Sequence, residues 1–172
     1  QQLHFTGDEK VSLKIAGETQ ELPIKEALIQ HLEITQTAVN FISFWAEQSQ
    51  DKGLLALSED KNAAREYAGN HQIVDVVKVA PATVTAQNFA DALRKITPRL
   101  YSIASSQAEV EEEVHLTVGL VEYNANEQLR SGGASSFLGK RLEEGGEVKV
   151  FIEHNDNFRL PNDENRPAIM IG

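Results

Sequence analysis

Two short stretches of this chain carry the residue types best suited to chemistry. Arg99-Leu100-Tyr101-Ser102 combines a planar fork of guanidinium donors that matches phosphate oxygens, a phenol with a flat stacking face, and a small hydroxyl able to meet a ring nitrogen. On a strand, residues 99 and 101 face one way and residues 100 and 102 the other. On residue types alone, the stronger reading is a strand with a surface arginine and a half-buried tyrosine. The second stretch is Gly132-Gly133-Ala134-Ser135-Ser136. Paired glycines ahead of a helix let the backbone approach an anion closely, the helix start offers free N–H groups, and Ser135 or Ser136 can cap them. An ordinary capped helix after a loop explains the same residues equally well. A dinucleotide needs both anion donors and a stacking surface, so the two stretches together favour a binding site more than either does alone.

Other chemistry finds little support. The histidines at 4, 31, 71, 115 and 154 lack a metal-ligand spacing, so no metal site is expected. His154 and Asp156 share a polar loop, where solvation is a simpler role than acid–base work. Glu111-Glu112-Glu113 reads as a solvated loop before a strand. The sequence has no Gly-x-Ser-x-Gly elbow, phosphate-loop signature or complete Gly-x-Gly-x-x-Gly. With no cysteine, thiolate catalysis and disulfides are excluded.

The elements that must position these residues fall into two kinds. Val11 to Ile15 alternates like a strand, with Gly17 permitting a turn after it. Pro23 suits the first turn of a helix through Ala27, Leu28 and His31. A second helix is predicted from Thr37 to Gln50, its Phe41, Phe44 and Trp45 stripe packing into a core. Further helices are expected at Ser58–Ala68, with Ser58 and Asp60 as cap candidates, at Ile73–Val79, ended by Pro81, and at Gln87–Lys95. After Pro98 the predicted elements are strands at Leu100–Ala104, Val114–Val121 and Glu147–Glu153. A helix opens at Gly132 and closes near Gly145-Gly146. Helices first and strands afterwards predict an α+β fold.

The 172 residues, 41% hydrophobic and 24% charged, suit a folded domain. A net charge of -10 argues against nucleic acid as a partner. No apolar run is long enough to span a bilayer and no signal peptide is visible, which together predict a cytoplasmic location. Gln1 stands where an initiator Met is expected and the chain stops at Ile169-Met170-Ile171-Gly172, so both termini read as cuts in a longer protein.

Thr97 to Ser106 resembles the FAD signature of the ferredoxin–NADP reductase superfamily, in particular its diflavin reductases. Gly132 to Leu138 is similar to that family's second FAD motif, and Phe151 to Pro161 to the strand and loop that follow it. The Glu153-His154-Asn155-Asp156-Asn157 wording is nearest to the family's bacterial sulfite-reducing branch. Three motifs in the family's order reverse the plainer reading of Arg99–Ser102.

The resemblance implies roles residue by residue. Arg99 would hold the FAD pyrophosphate and Tyr101 would stack on the isoalloxazine, with Leu100 between them. Ser102 would lie near flavin N5, where hydride arrives, as the catalytic residue. Thr117, Val118 and Gly119 would line the flavin ring, and Tyr123 would contact the FAD on its adenosine side. Gly132, Gly133, Ala134 and Ser135 would bind pyrophosphate, and Thr35 and Gly69 would touch the cofactor from the helical part. The implied fold is α+β, a partial antiparallel FAD-binding β-barrel with an inserted all-helical connecting subdomain. Residues 1–95 would form the connecting subdomain, 96–166 the C-terminal half of the barrel, and 167–172 the start of an NADP-binding domain. A flavodoxin-like FMN domain and the first barrel strands have no counterpart in this chain.

The resemblance therefore implies an FAD-binding segment of an NADPH-dependent flavoprotein that is inactive by itself, its FMN and NADPH bound by other parts of the parent protein. Electrons would leave through FMN to a siroheme-containing hemoprotein subunit in a hetero-oligomer that reduces sulfite to sulfide. The alternatives are another diflavin reductase or a non-catalytic assembly module.

Overall fold

The computed structural model describes residues 3–157, 159–163 and 165–169. They divide into two compact units, residues 1–141 and 142–172. The first unit opens with an antiparallel hairpin of β1 (Lys10–Ile15) and β2 (Glu18–Pro23). Val11 and Leu13 turn inward while Lys10, Ser12 and Lys14 face out, the period of two expected of a half-buried strand. The Ala16-Gly17 turn has φ of 52° and 93°, the left-handed pair that matches strand twist in two-residue hairpins. Gln87 blunts the free edge of β1. Its amide accepts from the Ser12 N–H at 2.8 Å and donates to the Ser12 carbonyl at 3.2 Å.

Six helices follow: α1 (Ile24–Gln30), α2 (Val39–Ser49), α3 (Lys52–Glu59), α4 (Lys61–Asn70), α5 (Ile73–Val79) and α6 (Ala86–Ala92). Pro23 closes β2 and is the N-cap of α1, one position outside the helix turn it was expected to start. The helix expected at Ser58–Ala68 is two helices. Asp60 breaks the run because its carboxylate accepts from the Asn62 and Ala63 N–H groups and so opens α4, while the Ser58 hydroxyl donates to the Leu55 carbonyl within α3. Asp51 starts α3 in the same way, accepting from the Leu54 N–H at 2.9 Å. α2 and α5 lie where the sequence predicts them, and α6 ends at Ala92, three residues short of the expected Lys95.

The core gathers around α2. Phe41 and Trp45 stack with centroids 6.0 Å apart, and Phe89 meets both rings edge-on at 5.9 and 6.1 Å. Trp45 is 0% exposed, and its indole N–H donates to the Ala80 carbonyl at 3.0 Å, which pairs the polar edge that burial would otherwise strand. An antiparallel bridge between Leu32 and Lys95, flanked by Glu33 N–H to Arg94 O and Ile96 N–H to His31 O, ties the start of the helical region to its exit.

Beyond Ile96 regular structure thins. Short α7 (Gln107–Val110) precedes a second antiparallel hairpin, β3 (Glu122–Ala125) with β4 (Gln128–Ser131). Helix α8 (Gly133–Ser136) runs on into a π-helical turn, Phe137–Arg141, which ends before the expected Gly145-Gly146 stop. Helices with small antiparallel sheets make the expected α+β class. The strands expected at Leu100–Ala104 and Val114–Val121 reduce to one antiparallel bridge, Ile103 with Leu116, and no barrel closes among the described residues. A strand needs a continuous partner ladder, and these segments find none, so Leu100, Val114 and Val121 stay open to solvent.

In the second unit, residues 147–153 run without a ladder, so the third expected strand is also absent there. Asn155 accepts from the Asn157 N–H at 3.1 Å, and Asp163 accepts from the Asn165 and Arg166 N–H groups. Phe158 of the third motif, and Met170 to Gly172 of the expected NADP-domain start, lie outside the described residues.

Candidate functional site

The glycine-rich turn is held by its own strand. The Gly132 N–H donates to the Val121 carbonyl at 2.8 Å, and the Val121 N–H donates to the Ser135 hydroxyl at 3.2 Å. Ser135 is buried and serves this cross-link instead of capping the helix; Gly132 is the N-cap of α8, with no side-chain hydrogen bond there. A Cβ on Gly132 would stand 2.7 Å from the Ser135 Oγ and 3.0 Å from the Val121 Cβ, so only glycine allows this closure. At Gly133 nothing lies within 4 Å of the corresponding position, which leaves the backbone open to an approaching group. Arg141 donates to the Gly133 carbonyl at 2.9 Å, and Lys140 pairs with Glu122 at 2.6 Å, so the following turn is clamped back onto the hairpin.

The hairpin carries Tyr123 directly across from Arg130. The Tyr123 hydroxyl accepts from the Gln72 amide at 3.4 Å. Arg130 donates to the Gln72 side-chain oxygen at 2.9 Å and to Asp75 at 2.7 Å, with both ends of that ion pair largely buried. Asn126 in the turn donates to the Asn70 carbonyl at 3.3 Å, beside Gly69 in the last turn of α4. Tyr67 and His71 stack there with ring centroids 3.7 Å apart and planes 6° from parallel. Burial, with Asp75 and Asp51 nearby, pushes the Tyr67 phenol up from its ordinary value, so the phenol stays neutral and keeps its hydroxyl proton.

The structure thus brings together Gly69, Tyr123 and Gly132–Ser135 around one hairpin. Arg99 to Ser102 join a different neighbour. The antiparallel Ile103–Leu116 bridge, with the Ala104 N–H donating to the His115 carbonyl at 2.8 Å on one side, places Ser102 and Thr117 across from each other one residue along on the other side. No hydrogen bond among the described residues links Arg99–Ser102 to Tyr123 or to the glycine turn. Of the four, only Tyr101 is half-buried, so the expected two-sided alternation is absent. The Arg99 guanidinium has a 3.5 Å contact to the Thr97 hydroxyl and is otherwise exposed. Val118 is half-buried, with Thr117 and Gly119 exposed. Thr35 lies apart in a turn where both its N–H and hydroxyl donate to Glu33.

Comparison with known proteins shows that residues 6–137 match the FAD binding domain family. The chain belongs to this family. The matched span of the FAD-binding domain contains both Arg99–Ser102 and Gly132–Ser135. The chain is similar to proteins named sulfite reductase (NADPH) flavoprotein alpha-component. The relative from Aliivibrio fischeri is 51% identical over 171 residues, 99% of this chain and 28% of the relative. That from Vibrio parahaemolyticus is 56% identical over 161 residues, 94% of this chain and 26% of the relative. In Serratia proteamaculans the identity is 52% over 172 residues, 100% of this chain and 28% of the relative. The chain therefore spans roughly a quarter of the length of the curated relatives it matches.

Residue types did not single out Gln72, Asp75 or Arg130. The available signal was the Gln72-x-x-Asp75 spacing at a helix start, where the Asp75 carboxylate accepts from the Gln72 N–H at 2.8 Å.

Proposed function

We propose that this chain is the FAD-binding segment of an NADPH-dependent sulfite reductase flavoprotein, with its FMN and NADPH bound by other parts of the parent polypeptide. The observation that carries the reading is the match over residues 6–137, which takes in the arginine–tyrosine–serine segment and the glycine turn in one family. The residues fit the group. The open backbone at Gly133 admits a pyrophosphate, Arg99 is exposed with guanidinium donors to offer, and Tyr101 keeps part of its ring surface accessible.

In this reading Arg99 and the Gly132–Ser135 backbone hold the pyrophosphate, and Tyr101, with Leu100 beside it, stacks on the isoalloxazine. Thr117, Val118 and Gly119 line the ring, Tyr123 contacts the adenosine side, and Thr35 and Gly69 touch the cofactor from the helical region. Ser102 offers its hydroxyl near N5. When bound, the flavin supplies the redox chemistry that takes electrons from NADPH and passes them through FMN to a siroheme-containing hemoprotein subunit for sulfite reduction. The chain's share is to bind, orient and exclude water. Residues 1–95 act as the connecting subdomain inserted into a barrel, 96–166 as that barrel's C-terminal half, and 167–172 as the start of the NADP-binding domain. The parent is a cytoplasmic hetero-oligomer; no helix among the described residues is long and apolar enough to cross a membrane.

A flavin titration in a polypeptide of the relatives' full length tests this. Tyrosine stacking quenches FAD fluorescence, and Arg99→Ala or Tyr101→Ala each weakens binding about tenfold, equivalent to ~1.4 kcal/mol. Absence of FAD affinity in that polypeptide overturns the proposal.

A further inference from the structure

The Asp75–Arg130 ion pair joins residues from the start of α5 and from β4, and the two side chains are only 11% and 12% exposed. Each group in it has a second job. The Asp75 carboxylate uses its other oxygen to accept from the Gln72 N–H at 2.8 Å. The Arg130 fork also reaches the Gln72 side-chain oxygen at 2.9 Å, which turns the Gln72 amide nitrogen toward the Tyr123 hydroxyl at 3.4 Å. Tyr123 and Arg130 are opposite partners across β3 and β4, so both side chains leave one face of the hairpin. Arg130 also stands two residues before Gly132, on the strand that leads into the glycine turn.

We infer that Arg130, Asp75 and Gln72 are positioning residues for the adenosine end of the cofactor site, acting through Tyr123. This rests on the proposed role of Tyr123 in FAD binding. A two-stranded hairpin has marginal stability by itself, and among the described residues the β3–β4 hairpin has no third strand, so its placement must come from what it is fastened to. The fastening is an arginine in a mostly desolvated setting whose two terminal nitrogens hold Asp75 and Gln72 separately, which fixes direction as well as distance. Gln72 passes that direction on, because its oxygen is engaged by Arg130 and its nitrogen remains for the phenol.

The test uses FAD titration and apoprotein unfolding in a polypeptide of the relatives' full length, with Arg130→Lys, Gln72→Leu, Tyr123→Ala and the Arg130→Lys/Tyr123→Ala double variant. Arg130→Lys keeps the charge but loses the fork, and raises the FAD dissociation constant about tenfold. Gln72→Leu leaves the ion pair in place; it weakens FAD binding severalfold with only a small fall in the unfolding midpoint, the cost of one guanidinium donor left unpaired. In the Tyr123→Ala background, Arg130→Lys has no further effect on FAD affinity, the non-additivity expected of residues acting in series. Additive effects, or a Gln72→Leu variant with wild-type affinity, overturn the inference while the FAD reading stands. A wild-type protein without FAD affinity overturns both.

Discussion

The helical region up to Ile96 and the extended region after it are built from similar proportions of apolar residues, yet they bury them very differently. Phe41, Trp45 and Phe89 lock into one aromatic cluster, with Trp45 fully enclosed. Leu100 is 68% exposed and Val150 77%, although both belong to segments with strand-forming composition. The difference lies in where each element finds its partners. An α-helix satisfies its backbone internally and needs only a neighbour for its apolar stripe, whereas a strand satisfies its backbone only through another strand. The helical region therefore completes its own core, and the extended region depends on ladders that the described residues do not supply.

The largest effect that would break this contrast comes from the aromatic cluster. Trp45→Ala should cost about 3–5 kcal/mol in urea unfolding, because it removes the largest enclosed side chain and leaves the Ala80 carbonyl without its indole donor. Leu100→Ala, a deletion of comparable chemistry on the other side of the boundary, should stay within about 0.5 kcal/mol. Equal costs for the two substitutions would mean that the extended region has a core of its own.

The hairpin β3–β4 is the exception within the extended region, and its turn offers a way to sharpen the comparison. Asn126 and Glu127 have φ of 51° and 60°. Asparagine tolerates that conformation, but glutamate is strained in it. Glu127→Gly converts the turn to Asn-Gly and should slow amide exchange in β3 and β4, with a gain of about 1 kcal/mol in the hairpin. Unchanged exchange there, or slower exchange throughout α2, would show that the hairpin's stability is not set locally. A third measurement concerns the helix boundaries. Asp60→Ala should cost about 1 kcal/mol, since it removes the acceptor for two N–H groups of α4. No loss on that substitution would show that packing alone separates α3 from α4.

How much could be read from the sequence follows the same division. α2 and α5 were legible because their apolar spacing is helical and their ends carry recognisable stops. The α3–α4 break was harder to see, because Ser58 and Asp60 both look like caps and only the geometry shows that Asp60 is used. β3 and β4 were missed because Glu122–Ser131 is polar and its turn lacks glycine; Asn126 was the one local signal. Conversely, Glu147–Glu153 has strand composition but no ladder, because composition does not specify a partner. At the candidate site, the glycine turn is proposed from its wording and Tyr123 from the family resemblance, whereas Gln72 and Asp75 meet Arg130 only through folding, 55 to 58 residues away.

The smallest expected effect lies at the entrance to the packed region. The Glu9 carboxylate accepts from the Thr6 and Gly7 N–H groups at 2.9 Å each and from the Thr6 hydroxyl at 3.2 Å. The Thr6 N–H above all, then those of Glu9 and Gly7, holds its pKa down to about 2 from an ordinary 4.5. A carboxyl with a lowered value in the folded state stabilises the fold above pH 4.5, and that contribution fades as pH falls from 4.5 toward 2. The group is fully exposed, so screening keeps the effect small. Glu9→Gln should flatten this stretch of the stability–pH curve by slightly lowering stability above pH 4.5, with the difference from wild type vanishing toward pH 2. The loop it holds feeds Gly7, whose carbonyl accepts from the Lys25 N–H at the start of α1, so the change should register as faster exchange at Lys25 and not at the buried Trp45. Exchange that rises equally at both positions would mean that the packed region opens as one unit and that this loop is part of it.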